Sequence, residues 1–254
     1  MLLNDEEYEA MFQVEDSHWW YRHLHDRVIS MLQKEKINPQ ARILDAGCGT
    51  GGMLQRLQKE GYQNLSGFDY NPKAVQLANR RHLGKIQVLD IRQLAQIFEP
   101  HTFDVIICND VWYQFEDDEL LPILEDLQKL IAPGGILISN NQAYDAFQGM
   151  HDVAVGAKRR FHPSFFQSWL SQNRHLSGHW VSWSRWLAPL IVSIRWIQRI
   201  QLKFGFYSTI KSDVSMPHRM INELLYQLVS LEKKWSPPRG GWGSSLFLIV
   251  RKEK

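Results

Sequence analysis

Cysteine is nearly missing from this 254-residue chain: Cys48 and Cys108 are the only two. Two thiols make neither an all-thiolate zinc site nor a disulfide framework, so no metal is expected and a reducing, cytoplasmic setting is the simpler reading. Excess charge is missing too. Lys+Arg 29 against Asp+Glu 27 leave a net charge of +2, too balanced for a surface built to bind nucleic acid. No run of about 18 residues is apolar and free of charge, so no transmembrane helix is expected. The nearest approach, 186–206, is interrupted by Arg195, Arg199 and Lys203. The acidic opening from Met1 to Glu9 has no apolar stretch of signal-peptide length. Repeats and low-complexity tracts are absent from the sequence.

What is present is ordinary globular material, 44% hydrophobic, with an aromatic-rich share of Trp 10, Tyr 8 and Phe 12. The length suits one generous domain that buries roughly 70–75% of its unfolded surface and needs no staple.

Apolar residues at helical spacing predict one helix over 5–36, closed by Asn38-Pro39. Its middle, His18-Trp19-Trp20-Tyr21, is too bulky all round for a solvent-exposed helix. It forms either a lid over a ligand or a plug at the sheet. Because Trp19 and Trp20 are neighbours, they are expected to face different sides. From 41 to 140, short apolar runs alternate with helical stretches. Strands are expected at 42–45, 64–69, 86–89, 103–109 and 136–139, with helices at 52–61, 72–82 and 117–131. That alternation implies a parallel sheet with helices on both faces. After 140 the alternation stops. An irregular, polar connection is expected over 142–160, helices at 163–173, 186–204 and 217–234, and strands at 178–183 and 244–250.

Chemistry concentrates at Asp45-Ala46-Gly47-Cys48-Gly49-Thr50-Gly51, where a strand runs into a helix. Glycine allows positive φ and close backbone approach to a ligand. The first amides of the following helix favour an anionic group. The spacing G-x-G-x-G is neither the G-x-G-x-x-G of dinucleotide folds nor a P-loop. Asp69 ends the second strand, where a carboxylate reaches ribose hydroxyls. Asp90 follows the third and is placed to accept from an exocyclic amine. Strand-end features on adjacent strands face one crevice and point to a nucleoside-type cofactor.

Residues 41–140 resemble the class I S-adenosylmethionine (SAM)-dependent methyltransferases. The resemblance rests on the 45–51 loop, Gly67-Phe-Asp-Tyr70, Asp90-Ile91, Phe103 to Asp110 and Pro133-Gly-Gly135. It implies a Rossmann-like α/β fold: seven strands, mostly parallel, with a last antiparallel hairpin. It also implies SAM as cofactor and S-adenosylhomocysteine (SAH) as product. Asp45, Gly47, Cys48, Gly49 and Gly51 would hold the methionyl end with Asn109 nearby, Asp69 the ribose, and Tyr70, Asp90 and Ile91 the adenine. His18-Trp-Trp-Tyr-Arg22 and Gly156-Ala-Lys-Arg-Arg-Phe161 resemble motifs of a subgroup without a secure substrate, whose usual His is Ala157 here. In the lid reading, Trp20 supplies a cation–π face to the sulfonium and Arg22 pairs with the cofactor carboxylate.

Tyr113, His151, Arg159 and Arg160 are the candidate acceptor-binding residues, and His151, Tyr113 and Asp110 the candidate catalytic ones. His162 is a further candidate base, and Lys158 extends the basic cluster. The helix at 186–204 is expected to cap the pocket, with contact to a membrane surface or another protein as its alternatives. The organisation expected is one domain: an N-terminal helical lid (1–38), a cofactor-binding core (39–141) and a late helical cap with C-terminal strands (142–254). Methyl transfer to a small-molecule or lipid-like acceptor is the favoured function. A protein or RNA acceptor, and a SAM- or SAH-binding module without catalysis, are the rivals. A dehydrogenase is disfavoured by the glycine spacing.

Overall fold

In the computed structural model, which describes residues 5–206, 214–235 and 241–254, seven strands form one sheet. They are β1 (Arg42–Ala46), β2 (Asn64–Asp69), β3 (Lys85–Val88), β4 (Phe103–Ile107), β5 (Ile131–Gln142), β6 (Leu176–Trp183) and β7 (Ser245–Lys252). Their order is β3-β2-β1-β4-β5-β7-β6. Strands β1 to β5 are mutually parallel, and β7 runs antiparallel between β5 and β6. The expected seven-stranded, mostly parallel α/β architecture is therefore met. Ten helices accompany the strands among the described residues: α1 (Asp5–Val14), α2 (Trp19–Lys34), α3 (Gly52–Lys59), α4 (Pro72–Asn79), α5 (Leu94–Ile97), α6 (Asp117–Leu130), α7 (Met150–Ala154), α8 (Pro163–Gln172), α9 (Ala188–Phe204) and α10 (Arg219–Trp235).

Apolar side chains on both faces of the strands make two cores, as a doubly covered sheet requires. Leu44, Ile106 and Leu137 pack with Leu120, Leu124 and Leu127 of α6 and with Phe166 and Trp169 of α8. Ile43, Val105, Ile107 and Ile138 face the other way, toward Leu24, Val28 and Leu32 of α2, Leu54 and Leu57 of α3, and Val229 of α10.

Three local expectations need correction. The single helix over 5–36 is two, broken at 15–18. His18 caps the second by accepting the Trp20 N–H on Nδ1 at 3.3 Å. Strand β5 begins at Ile131, not Ile136. Its pairing with β4 jumps from Phe103↔Ile131 to Val105↔Ile136, because Pro133 cannot donate to the ladder and the chain bulges around it. The 142–160 connection is partly ordered: β5 runs to Gln142, a 3-10 turn spans Asp145–Phe147, and α7 follows.

Candidate active site

The C-terminal ends of β1, β2 and β4 open onto one cavity of about 570 Å³, the position where open α/β sheets take ligands. The glycine loop forms its floor. The Gly47 and Cys48 amides both donate to the Phe68 carbonyl, at 2.9 and 2.8 Å, which locks the loop against β2. Gly47 (φ +80°) and Gly49 (φ +52°) lie in the left-handed region, and a Cβ on either would collide with Val111 or with the Met11 methyl. The backbone is thus bare where it meets the cavity.

Two buried acids, Asp45 in β1 and Asp69 at the end of β2, flank the loop. The Asp45 carboxyl has no hydrogen-bond partner among the described residues. Burial first, then the charges of Asp69 and Glu15, push its pKa up to about 8. Asp69 Oδ2 accepts the Gly49 N–H at 2.9 Å. Its Oδ1 accepts the Asn71 N–H at 2.9 Å and the Tyr8 hydroxyl at 3.3 Å. Burial still leaves the Asp69 pKa raised, against the pull of these donors. A site with uncompensated buried carboxylates is short of positive charge.

The N-terminal helices close over this floor. Tyr8, Met11 and Glu15, on one face of α1 and the residue after it, line the cavity together with Trp19, Trp20 and Tyr21. Glu15 pairs with Arg81 at 2.6 Å, both side chains buried, and takes the Thr50 hydroxyl. Arg81 Nε also donates to the Thr50 carbonyl at 2.8 Å, so the N-terminal helices are tied to the loop beside them. Trp19 and Trp20 both reach the cavity, against expectation, because they lie in the first turn of α2 at the chain break. Trp20 stacks on Trp183 of β6, with ring centroids 5.7 Å apart at 30°.

Opposite the loop, Asp110 has φ +53°, a conformation that asparagine and aspartate tolerate best among non-glycine residues. Its N–H donates to the Asn140 carbonyl at 2.8 Å. Asn140 Nδ2 returns a bond to Asp110 Oδ2 at 2.9 Å. Trp183 Nε1 donates to Asn140 Oδ1 at 2.8 Å, which fixes the amide so that its NH₂ faces Asp110. Burial raises the Asp110 pKa to about 7, with Asn140 and Arg160 opposing the rise. Tyr113, His151 and Arg160 line the same cavity. Burial, then the Asp110 charge, pushes the Tyr113 phenol up.

The cavity lining thus gathers Asp45, Gly47, Cys48, Gly49, Asp69, Asn109, Asp110, Trp20, Tyr113, His151 and Arg160 from the residues singled out in the sequence. Others stand elsewhere. Arg22 is turned to α10, where it pairs with Glu223 at 2.8 Å and stacks on Tyr226, so in this structure it reaches no cavity ligand. Arg159 pairs with Asp117 and stacks on Phe161 and Phe165. Lys158 pairs with Glu119, and His162 approaches Asp145 at 3.3 Å. Asp90 already accepts Arg92 Nε and Nη2, at 3.1 and 2.6 Å, along with the Arg92 N–H. Gly51, Tyr70 and Ile91 lie outside the lining, Tyr70 half exposed beside Asp69 and Ile91 buried in the core. Asn109 lines the cavity, but its Oδ1 takes the Asn140 N–H at 2.9 Å.

Sequence reasoning missed Tyr8, Met11 and Glu15, whose three- and four-residue spacing does put them on one helix face. It also missed Asn140, which no local pattern marks. Both cysteines are buried. Among the described residues, no group of His, Cys, Asp or Glu could hold a metal ion.

Residues 37–186 match the family model described as a methyltransferase domain. Ubiquinone biosynthesis O-methyltransferase of Neisseria meningitidis is 29% identical over 136 residues, 47% of this chain and 55% of that protein. Human EEF1A lysine methyltransferase 2 is 42% identical over 60 residues, 24% of this chain and 25% of that protein. The chain therefore spans about half, or less, of the curated relatives it matches. A SAM-dependent methyltransferase of known structure from Archaeoglobus fulgidus superposes with TM-score 0.55 at 13% identity, covering 90% of this chain and 94% of that one. That likeness concerns the fold.

Proposed function

This chain belongs to the methyltransferase-domain family, and from that premise we propose that it transfers a methyl group from SAM to a small, lipid-like acceptor held in the cavity. One observation carries the reading. A single cavity, partly open, is lined both by the glycine loop and Asp69 and by apolar Phe147, Ile191 and Ile194, so a cofactor and an apolar acceptor can share it. The cofactor suits the site because Asp45 and Asp69 lack positive charge, and SAM is cationic at sulfur and at its amine. When bound, it supplies a methyl group open to in-line attack by an acceptor lone pair.

The protein's own residues then have separable tasks. Asp45 and the 47–51 loop would hold the methionyl end beside Asn109, and Asp69 the ribose. The adenine would fall beside Tyr70 and Ile91, with Asp90 contributing charge while it keeps Arg92. Trp19, Trp20 and Tyr21 exclude water, which strengthens every polar contact inside. Asp110, held by Asn140, takes the proton that a hydroxyl or amine acceptor gives up. Its pKa of about 7 suits that work near neutral pH. The name of the Neisseria relative supports a small-molecule acceptor. A protein acceptor is the second reading, favoured by the 60-residue match to the human lysine methyltransferase and disfavoured by the covered cavity.

Calorimetric titration with SAM, SAH and NAD, followed by a labelled-methyl screen of hydroxylated lipids, phenols and peptides, tests the proposal. Micromolar SAM and SAH binding without NAD binding, and label in an apolar small molecule, is the expected result. Label in peptides only would move the acceptor to the second reading. Failure of folded protein to bind SAM or SAH would end both, and SAM binding with no transfer to any acceptor would leave a binding module.

A further inference from the structure

Helix α9 is apolar on its outward side. Of its 17 residues only Ala188 is buried. The side toward the protein carries Arg195 and Gln198, which bond to each other at 2.9 Å, and Gln198 also accepts the Met150 N–H at 3.1 Å. The outward side carries Trp196, Ile197, Ile200 and Phe204, between 37% and 61% exposed, and the strip continues to Phe206 at 72%. A helix on a water-facing surface has polar residues there. Soluble monomers rarely leave an apolar strip of this kind open without using it.

Charge decides between occupants. The sequence from Val153 to Ser212 contains no aspartate or glutamate, although the chain as a whole is nearly balanced. Arg199 and Lys203 stand exposed within the strip itself. A second copy of this chain would set these cations against their own kind with no acid on the strip to answer them. A negatively charged lipid surface answers them, and it also suits aromatic side chains at the boundary between headgroup and acyl chain. Among the described residues no helix is long and apolar enough to cross a membrane, so the fitting geometry is a helix lying in the surface.

We propose that α9 docks this protein on an anionic lipid membrane and that the acceptor enters the cavity from that membrane. Ile191, Ile194 and Arg195 of the same helix line the cavity, so the docking element is also its wall. Pro217 also lines the cavity and leads into α10, whose first two turns expose apolar Met220, Ile221 and Leu224. The entry of the acceptor rests on the function proposed above; the docking itself does not.

Flotation of the full chain with phosphatidylcholine vesicles, with and without phosphatidylglycerol, tests the docking. Wild type should partition onto the anionic vesicles about tenfold more than onto neutral ones, less so as salt rises. Trp196→Glu with Ile197→Glu should lose about tenfold in vesicle partition while keeping its circular dichroism and its affinity for SAM. No flotation of folded wild type with either vesicle overturns the proposal. So does a lipid-free dimer, by light scattering, that the same double variant dissociates, since that assigns the strip to a second copy. Vesicle binding by a protein that fails to bind SAM would remove the proposed function and leave the docking standing.

Discussion

Asn222 of α10 holds the lid of the cavity through the backbone of Trp19: its Oδ1 accepts the Trp19 N–H at 2.8 Å, and its Nδ2 donates to the Ser17 carbonyl at 2.9 Å. One buried amide therefore bridges the break between α1 and α2 and sets the direction in which Trp19, Trp20 and Tyr21 enter the cavity. Asn222→Leu removes both partners from the half-buried Trp19 N–H and the Ser17 carbonyl. It should cost about 1 kcal/mol in urea unfolding and weaken SAM binding along with it. An unchanged midpoint would show that the break holds itself.

Asp69→Ala should weaken SAM binding by more than about tenfold, because a charged acceptor of two ribose hydroxyls is lost. Calorimetry reads this directly. Wild-type affinity in the variant would take Asp69 out of the site.

Asp110→Asn separates chemistry from binding. Transfer to the acceptor should fall about 10²-fold or more, while SAM affinity changes little. In wild type, activity should rise with pH through about 7, as Asp110 becomes able to accept a proton. That limb of the pH–rate profile should vanish in the variant. A variant that keeps both rate and profile would acquit Asp110 of proton transfer.

Folding stability should fall as pH rises through 7 to 8. Asp45 and Asp110 have pKa values raised to about 8 and about 7, so the fold prefers them protonated. Their contribution is complete below the ordinary carboxylate range and is lost as pH climbs through these values. Buried His23 and His25 are lowered to about 2 and about 4. They work in the opposite sense, but only below the ordinary histidine value of about 6.5. Above it the acids alone decide. The melting temperature should decline from pH 6.5 to 9 on a scale of ~2–4 °C per kcal/mol, and Asp45→Asn with Asp110→Asn should reduce the decline to the share left by Glu15, whose pKa burial also raises to about 7. A rise in melting temperature over that range would refute the assignment.

The two neighbouring arginines should part company. Arg160 forks onto Asp152 at 2.7 and 3.0 Å and donates to the Ala143 carbonyl at 3.0 Å, with both charged side chains buried. Arg160→Ala leaves a buried carboxylate alone and should cost about 3–5 kcal/mol. Arg159 pairs with the exposed Asp117, and Arg159→Ala should cost less than about 1 kcal/mol and spare acceptor use. Chemical denaturation of the two variants decides, and equal losses would contradict the geometry.

The legible part of this protein is the part written in local pattern. Strand β4 shows as successive apolar residues, the 45–51 loop as glycines at a strand end, and Asp69 as an acid one strand over. The less legible part depends on residues far apart in sequence. The gap between α1 and α2 is hidden because apolar periodicity continues through it, and it is fixed by Asn222 some two hundred positions away. Arg22 and Arg159 look like anion-binding residues on charge alone, yet Glu223 and Asp117 reach them first. Asn140 carries no signal, since its role exists only once β4, β5, β7 and β6 are assembled in one sheet. Trp19 and Trp20 share a cavity because the helix rule of opposite faces loses its force in a first turn.

Trp20 belongs to the lid and Trp183 to the sheet, and their indoles overlap at 5.7 Å. Chromophores that close exchange excitation, so the position of the lid is encoded in the optical activity of the native protein. A bisignate ultraviolet couplet should accompany the seated lid and disappear with Trp20→Leu.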